Sequence, residues 1–352
     1  AGFFLKLVHI NPSQKNLMTE NELRTYVDVS HEDGVIESEE KDIIMNETFL
    51  LRSGYDGLDI SILMVRPDSK PIAVLQLAHG MRGCKERFLP FMEYMSAHGV
   101  VCVANDHRGH GGSVKTVEDR GYMYDGGHVA LVEDMRMVTD WAHAEFPGLP
   151  VFLLGHSMGS LAVRNYMKRY DADISGVIIC GCPSDSPMVS PVLLVSRLLC
   201  LFNDGRMKTG IIQDIVSWTY NRRFASEGRN AWICSDPAVR KDFAENPSCA
   251  FVFTANGMRS LLSMMKETYS RKGWRVANAD LPVYFISGAD DPCMRGEAAF
   301  HASAQYLADC GYHDVTSALY TGMRHEVLNE IGKETVWADV LSHINSLSLS
   351  DN

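Results

Sequence analysis

Several features that mark specialised protein classes are missing from this sequence. No two of the nine cysteines are spaced as C-x-x-C, the pattern typical of structural zinc sites. His107 and His110 are spaced H-x-x-H, but no third ligand is evident. Acidic residues outnumber basic ones by 44 to 33, and a net charge of -11 argues against nucleic-acid binding, which needs a basic surface. We therefore expect no metal, no nucleic-acid partner, and cysteines that are reduced thiols of a cytoplasmic protein.

Long apolar segments are also missing. The longest apolar run, from Pro191 to Phe202, is interrupted by Arg197 and is shorter than the roughly 20 residues that a transmembrane helix needs. The N-terminus has no secretory signal pattern. These absences predict a protein that does not span a membrane, and they leave contact with a membrane surface open.

The first 47 residues differ in character from the rest. They are polar and acidic, and Thr19 with Glu22 forms a capping box that predicts a short helix, while Ser38 precedes a second one. The stretch "NLMTENELRTYVDVSHEDGVIESEEKDIIMN" resembles the segment that joins the membrane domain to the CBS domains in CorC-type hemolysin family transporters. Two interpretations remain open: an acidic helical extension without a function of its own, or part of a fusion with such a transporter.

From Thr48 onward, apolar strands alternate with helical segments. Two strands flank the turn "GYDG" as a hairpin, and continuous apolar runs such as "IAVLQLAHG" predict strands buried on both faces. This alternation is typical of an α/β fold with a mostly parallel sheet and helices on both faces. It breaks between about residues 183 and 279, so we expect residues 48–352 to form one domain with a helical cap inserted between two strands.

A candidate nucleophile lies in "VFLLGHSMGSLAV". Ser157 follows an apolar strand, precedes an apolar helix, and has Gly155 and Gly159 two positions to either side. The glycines let the strand and the helix approach closely around a strained turn, and the helix N-terminus offers amide donors to a developing negative charge. This context favours a nucleophilic serine over a serine in an ordinary turn.

A serine nucleophile needs a base and an acid that orients the base. In α/β folds with this turn the chain order is serine, acid, histidine. The segment "FISGADDPC" supplies Asp290 and Asp291, and "LYTGMRHEVL" supplies His325. Both segments follow predicted strands, where open α/β sheets build their sites. We favour Asp291 as the acid because it lies three residues beyond Gly288 and precedes Pro292.

Backbone amides are expected to complete the site. The amide of Met158 follows the serine directly, and that of Met81 lies in the loop after the strand that ends at His79 and Gly80. We predict these two amides as the donors that stabilise an oxyanion. His79 and Gly80 are placed near the substrate, where His79 either shapes the loop or only ends the strand.

The segment "SPMVSPVLLVSRLLCLF" in the predicted cap is apolar on nearly all sides. Four of its residues share one helical line: Met188, Val192, Val195 and Leu199. Such a line is more often core than binding surface. Above a serine site it could equally line an acyl-chain channel or contact a membrane surface, so we include it among the candidate substrate contacts.

Five motifs together resemble a known family. In order and spacing, "LAHGMRGCKERFLPFMEYMSAHG", "NDHRGHGGS", "LLGHSMGS", "SGADDPC" and "GMRHEVLNE" resemble the lysophospholipase and monoacylglycerol lipase branch of the α/β-hydrolases, which is often grouped with the S33 serine aminopeptidases. The similarity covers about residues 48–348. It implies the following roles: Ser157 as nucleophile, Asp291 as acid, His325 as base, and Met81 and Met158 as oxyanion donors. One departure is Ser160, where glycine is usual, and the cap leaves the substrate open.

The expected activity is hydrolysis of a carboxylic ester, such as a monoacyl lipid, by an acyl-enzyme mechanism without a cofactor. A second hypothesis is an aminopeptidase, which would need cap acids to bind an ammonium group; the candidates are Glu227, Asp236 and Glu245. A third is a non-catalytic module attached to a transporter, against which the complete serine, acid and histidine set argues. Three cap arginines are better explained by salt bridges than by a phosphate head group: Arg222, Arg223 and Arg229.

Overall fold

A computed structural model describes residues 45–348 of the 352-residue chain. Eight strands form one sheet: β1 (Met45–Arg52), β2 (Asp59–Arg66), β3 (Ala73–Ala78), β4 (Val100–Asn105), β5 (Val151–His156), β6 (Gly176–Cys180), β7 (Val283–Gly288) and β8 (Val315–Tyr320). The first strand begins three residues before the predicted domain boundary. The helices predicted in the N-terminal segment, and most of the transporter-like stretch, lie outside the described residues.

Helices flank this sheet and fill one long insertion. They are α1 (Leu89–Ala97), α2 (Gly127–Glu145), α3 (Met158–Tyr170), α4 (Val189–Leu199), α5 (Gly210–Asn221), α6 (Pro237–Glu245), α7 (Ala255–Thr268), α8 (Glu297–Ala308) and α9 (Lys333–Ser348). A 3-10 turn over Lys85–Phe88 leads into α1, which has Pro90 in its first turn. Proline is tolerated there because the first helical N–H groups need no partner within the helix.

The strand order in the sheet is β1-β2-β4-β3-β5-β6-β7-β8. The pairs β1–β2 and β2–β4 are antiparallel, and the other neighbours are parallel. Every residue of β3, β4, β5 and β6 is buried, which explains why these segments are mostly apolar rather than alternating. The predicted α/β fold with a mostly parallel sheet is confirmed.

Clusters of buried apolar side chains cover both faces of the sheet. Phe91 of α1 and Trp337 of α9 belong to the core on one face. Leu131 of α2, Leu161 of α3 and Phe300 of α8 belong to the core on the other. Helices on both faces bury the central strands completely, and this arrangement leaves the carboxyl ends of the strands as the edge where polar side chains can meet.

The helices α4 to α7 lie between β6 and β7, in the region predicted as a cap. Helix α4 packs against α7 and buries Val189, Leu193 and Ser196. The predicted line through Met188 and Val192 therefore lies beside the buried face rather than on it, because a helix that is apolar nearly all round does not identify its inward side. Within residues 45–348, no helix is both long enough and apolar enough to cross a membrane.

Candidate active site

Ser157 lies at a sharp turn between β5 and α3. Its φ of 55° and ψ of -115° form a conformation that residues with side chains rarely adopt and that is typical of strained functional positions. A Cβ atom on Gly155 would lie 2.3 Å from the carbonyl oxygen of Gly159, and one on Gly159 would lie 2.0 Å from that of Ala78. Both positions require glycine, because a side chain would push apart the elements that hold the serine.

A continuous chain of hydrogen bonds joins three side chains from three loops. Nε2 of His325 lies 2.8 Å from Oγ of Ser157, and Nδ1 of His325 lies 2.9 Å from Oδ2 of Asp291. The carboxylate is held in turn by the Cys293 N–H, which donates to Oδ1 at 2.8 Å, and by the Ser287 hydroxyl, which donates to Oδ2 at 3.1 Å. Asp291 follows β7 and His325 follows β8, so both meet the serine where the parallel strands end.

Burial and charge act in opposite directions on the acid and the base. Burial alone would raise the pKa of Asp291, but the charge of the adjacent His325 and the hydrogen bonds to the carboxylate bring this pKa below its ordinary value. Burial alone would lower the pKa of His325, but Asp291 raises it above its ordinary value. The pair is therefore an ionised carboxylate beside an imidazole that accepts a proton readily, as general-base catalysis requires.

Asp290 takes no part in this chain of hydrogen bonds. Its Oδ1 lies 2.5 Å from Nη2 of Arg223 in the cap, and the pair is partly exposed to solvent. Asp291 is buried. The fold brings Ser157, Asp291 and His325 together and leaves Asp290 outside.

The predicted oxyanion donors are two backbone amides beside the serine. Met158 is the first residue of α3, so its N–H has no acceptor in a preceding helical turn. Met81 lies in the loop after β3, and in the described part of the chain its N–H also has no acceptor. Both residues line the same cavity as Ser157, and both amides are available to a negatively charged oxygen.

His79 determines the direction of the Met81 amide. The His107 N–H donates to Nε2 of His79 at 3.0 Å, so the ring proton is on Nδ1, which donates to the Gly80 carbonyl oxygen at 2.8 Å. The Gly83 N–H donates to the same oxygen at 2.9 Å. In a trans peptide the C=O and the following N–H point to opposite sides, so holding the carbonyl aims the amide of Met81 the other way.

His79 lines the cavity, as predicted, but its ring acts on the loop rather than through a free nitrogen. Its ring nitrogens both bond to the backbone, which leaves them no substrate partner. Burial lowers the pKa of His79 well below its ordinary value, so the ring stays neutral and keeps one donor and one acceptor.

The serine opens into a cavity with a volume of about 260 Å³. Its lining is mostly apolar and comes from the cap and the core alike. Four of the predicted residues line it, namely His79, Gly80, Met188 and Val192, whereas Val195 and Leu199 do not. The correction has a simple cause: α4 turns its buried face towards α7, which leaves Val195 exposed to solvent.

Two aromatic residues of the cap were not predicted from the sequence. The ring centroid of Trp232 lies 5.0 Å from that of His325, and the centroid of Tyr220 lies 5.1 Å from that of Trp232. Both rings line the cavity. The stretch "WTYNRRF" shows that the cap is aromatic, but no spacing in the sequence places these rings beside a histidine that is distant in the chain.

Apart from histidines, the charged residues in the described lining of the cavity are Arg82, Arg87 and Glu326. Arg87 forms a buried ion pair with Glu326, and its Nη1 lies 2.7 Å from Oδ2 of Asp242. Burial would raise the pKa of Glu326, but the charge of Arg87 keeps it below its ordinary value. Within residues 45–348, Arg82 has no carboxylate within 4 Å.

The cap acids and arginines weighed for ammonium or phosphate binding do not line this cavity. Glu227 pairs with Arg324, and Asp236 caps the N-terminus of α6. Arg223 pairs with Asp290. The others outside the lining are Glu245, Arg222 and Arg229.

The H-x-x-H histidines do not form a metal-binding group. His107 and His110 are buried with their ring centroids 6.3 Å apart, and within residues 45–348 neither joins a group of three donors. A different group does come together: the donor atoms of Asp291, Cys293 and His325 lie within 4.8 Å of one another. Because Asp291 and His325 also form the chain to the serine, a metal ion bound there would compete with it.

Known proteins resemble this chain along most of its described length. The family model described as serine aminopeptidase, S33, matches residues 69–332. A monoacylglycerol lipase of Mycolicibacterium smegmatis is 28% identical over 298 residues, which cover 84% of this chain and 95% of that protein. A monoglyceride lipase of Homo sapiens is 34% identical over 115 residues, which cover 32% of this chain and 36% of that protein.

Among solved structures, a thermostable carboxyl esterase from Bacillus coagulans, in complex with glycerol, superposes with a TM-score of 0.78 at 27% identity. The match covers 86% of this chain and 99% of that one. The family match includes Ser157, Asp291 and His325. The chain belongs to the serine aminopeptidase S33 family and has the α/β-hydrolase fold.

Proposed function

We propose that this protein is a serine hydrolase that cleaves carboxylic esters of monoacyl lipids. The observation that carries the proposal is the hydrogen-bonded chain from Ser157 through His325 to Asp291, which ends at the base of an apolar cavity beside two unbonded amides. Catalysis belongs to residues 48–352, and the insertion at about residues 183–279 covers the cavity as a cap. No cofactor is needed for this chemistry.

The reaction proceeds in two halves. In the first, Oγ of Ser157 attacks the ester carbonyl carbon while Nε2 of His325 takes the hydroxyl proton, and the new oxyanion accepts hydrogen bonds from the amides of Met81 and Met158. The imidazolium then gives its proton to the alcohol oxygen as the bond from carbon to that oxygen breaks. In the second half, water repeats the same steps on the acyl-enzyme. Asp291 stabilises the imidazolium throughout.

The lining of the cavity supports a lipid ester rather than a peptide. An aminopeptidase binds a substrate ammonium group, which requires an unpaired carboxylate near the serine. Glu326 is the one carboxylate in the described lining, and Arg87 already neutralises it. The apolar lining suits an acyl chain. A monoacylglycerol lipase and a carboxyl esterase bound to glycerol are among the similar proteins, which favours a glycerol ester as substrate.

Peripheral contact with a membrane surface, from the cytoplasmic side, is a further part of the proposal. Large apolar side chains with high exposure concentrate on α4, α5 and their connection, and we call them the cap patch: Leu194, Leu198, Leu201, Phe202, Ile211, Ile215 and Trp218. Large apolar side chains exposed in this number are typical of interaction sites. It lies on the elements that also supply Met188 and Val192 to the cavity, so a lipid could pass from the surface to the serine.

Hydrolysis of a p-nitrophenyl ester series from short to long acyl chains, followed by a monoacylglycerol, tests the activity. We expect the wild-type protein to hydrolyse these esters and Ser157→Ala to lose activity by at least about 10³-fold. Thermal unfolding of both proteins provides the control for folding. Activity that persists in Ser157→Ala, or cleavage of peptides but of no ester, would contradict the proposal.

Sedimentation with anionic and neutral phospholipid vesicles tests the membrane contact. The double variant Ile211→Ser and Trp218→Ser removes two exposed apolar side chains of the cap patch. Ile331→Ser is the matched control, because Ile331 is also exposed but lies outside the cap. We expect the double variant to bind vesicles at least about tenfold more weakly while the control is unchanged, since transfer of apolar area drives interfacial binding. Equal binding by all three proteins would contradict a cap-mediated contact.

A further inference from the structure

The cavity contains a positive charge that the proposed reaction does not use. Arg82 directly follows Met81, whose amide is a proposed oxyanion donor, so its Cα lies about 3.8 Å from that of Met81. Arg82 lines the same cavity as Ser157. It therefore lies next to the loop that supplies a proposed oxyanion donor.

The contacts of Arg82 leave most of its hydrogen-bonding capacity free. Nε donates to the Cys249 carbonyl oxygen at 2.9 Å, and the guanidinium lies 4.9 Å from the centre of the Phe243 ring. Among the described residues, no group accepts a hydrogen bond from Nη1 or Nη2, and no carboxylate lies within 4 Å. The side chain is therefore anchored to the cap by its inner nitrogen, with its outer edge open.

Arg87, five positions later, makes the comparison clear. Its charge is neutralised by Glu326, and its guanidinium also lies near the Phe243 ring, 5.2 Å from the ring centre. Arg87 is thus paired with Glu326 and also with Asp242, which lies outside the lining, whereas Arg82 has no carboxylate at ion-pair distance among the described residues. A partly buried unpaired charge is unfavourable, and an anionic ligand would remove that cost.

The backbone conformation at Arg82 is a second observation that supports a role for this residue. Its φ of 61° lies in the left-handed region, which a residue with a long side chain rarely occupies. Such strain persists where the surrounding structure holds a residue for a purpose. Here it carries the chain from Met81 into the turn closed by the Gly83 N–H and the Gly80 carbonyl, and it leaves the arginine in the cavity wall.

From these observations we propose that Arg82 binds the anionic phosphate head group of the substrate, so that the preferred ester is a monoacyl glycerophosphate rather than a neutral monoacylglycerol. The proposal rests on the ester hydrolase function proposed above. Guanidinium and phosphate match in geometry, because two parallel N–H groups can bond two oxygens at once. The acyl chain occupies the apolar part of the cavity, and the head group lies on the leaving-alcohol side, next to the oxyanion loop.

A pair of substrates that differ only in the head group tests the assignment. Hydrolysis of 1-dodecanoylglycerol and of 1-dodecanoylglycerol 3-phosphate is measured as kcat/KM below their aggregation concentrations. We expect wild type to favour the phosphate ester by at least about tenfold and Arg82→Gln to lower that ratio by about 10- to 150-fold, as for a lost charged hydrogen bond. Arg82→Lys keeps the charge but not the planar fork, so its ratio lies between the two.

Arg229→Gln is the matched control. Arg229 lies close enough to act on Arg82 through space, and Asp214 acts with the opposite sign, but neither lines the cavity. We expect this variant to change the ratio by less than about threefold, because it removes a neighbouring charge without removing the proposed contact. If Arg229→Gln lowers the ratio as much as Arg82→Gln, the preference comes from the general field and the assignment to Arg82 is wrong.

Binding without turnover separates this proposal from the proposed activity. In Ser157→Ala, calorimetry with dodecyl phosphate, dodecanol and inorganic phosphate is expected to give the tightest binding for dodecyl phosphate and at least about tenfold weaker binding after Arg82→Gln. Equal binding of dodecyl phosphate and dodecanol overturns the head-group contact. Inorganic phosphate that binds as tightly as dodecyl phosphate identifies a site for free anions instead. If wild type hydrolyses no ester, the proposed activity fails, and this binding result alone decides the role of Arg82.

Discussion

The support that His79 gives to the oxyanion loop leads to a prediction with two matched variants. His79→Gln can place an acceptor where Nε2 was and still receive the His107 N–H, but it loses the donor to the Gly80 carbonyl. His79→Asn places an amide nitrogen where Nδ1 was and keeps that donor. The two variants thus separate the hydrogen bond to the Gly80 carbonyl, which holds the loop, from the hydrogen bond from the His107 N–H, which holds the ring.

The expected magnitude follows from what the Met81 amide contributes. Complete loss of one oxyanion donor lowers kcat by about 10² to 10³-fold. In His79→Gln the Gly80 carbonyl still accepts from the Gly83 N–H, so the amide is misdirected only in part. We expect kcat to fall by about 10- to 100-fold with KM changed by less than about threefold, because an oxyanion contact acts in the transition state and not on the bound substrate.

Steady-state hydrolysis of a p-nitrophenyl ester measures both parameters, and the affinity for an alkyl boronic acid, which mimics the tetrahedral intermediate, gives an independent check. His79→Asn is expected to stay within about tenfold of wild type in both measurements. Equal losses in the two variants would refute the reasoning, and so would a rise in KM at constant kcat. Circular dichroism and thermal unfolding show whether either variant has simply lost its fold.

Three further predictions concern the base, the turn at the nucleophile and the neighbouring thiol. The pKa of His325 is raised above 6.5 and the neutral ring is the base, so kcat/KM is expected to fall as pH drops through that raised pKa. A pH profile that stays flat down to pH 5 would contradict this pH dependence. Asp291→Asn is expected to lower kcat by about 10⁴-fold. Gly159→Ala is expected to lower the free energy of unfolding by about 3 kcal/mol in denaturant titrations, whereas Gly54→Ala, where an added Cβ meets nothing within 4 Å, changes it by less than about 1 kcal/mol. Zn²⁺ is expected to inhibit hydrolysis and EDTA to restore it, and Cys293→Ala is expected to raise the half-inhibiting concentration at least about tenfold; unchanged sensitivity would exclude the thiol as a ligand.

The sheet and the reacting residues could be predicted because their signals are local. A run such as "IAVLQLAHG" is continuously apolar because both faces of β3 are buried, and no distant contact is needed to interpret it. The turn at Ser157 could be predicted from Gly155 and Gly159, because the turn leaves no room for a side chain at either position. Asp291 and His325 follow strands in the order that this fold uses, so their position in the chain was enough to bring them to the serine.

The inward face of the cap could not be predicted in the same way. Helix α4 is apolar nearly all round, so its periodicity is compatible with several faces. The choice depends on α7, which lies far along the chain and packs against α4. Because the periodicity does not identify the inward face, Val195 and Leu199 were predicted as substrate contacts, but they lie outside the cavity. Pattern analysis identified the segment, but only packing decides which of its residues meet a lipid.

Charge in the cavity depends even more on contacts between distant parts of the chain. Arg82 and Arg87 lie five positions apart between β3 and α1 and look equivalent in the sequence, yet Glu326, which follows His325, pairs with Arg87 alone. An arginine can bind an anionic ligand only where no carboxylate of the protein already pairs with it. The position of either arginine in the sequence does not show whether such a carboxylate lies nearby. The motifs of the reaction are therefore short and lie at strand ends, whereas the proposed head-group specificity depends on contacts between the cap and the oxyanion loop. It follows that relatives with the same serine, acid and histidine can differ in substrate through a single unpaired side chain beside them.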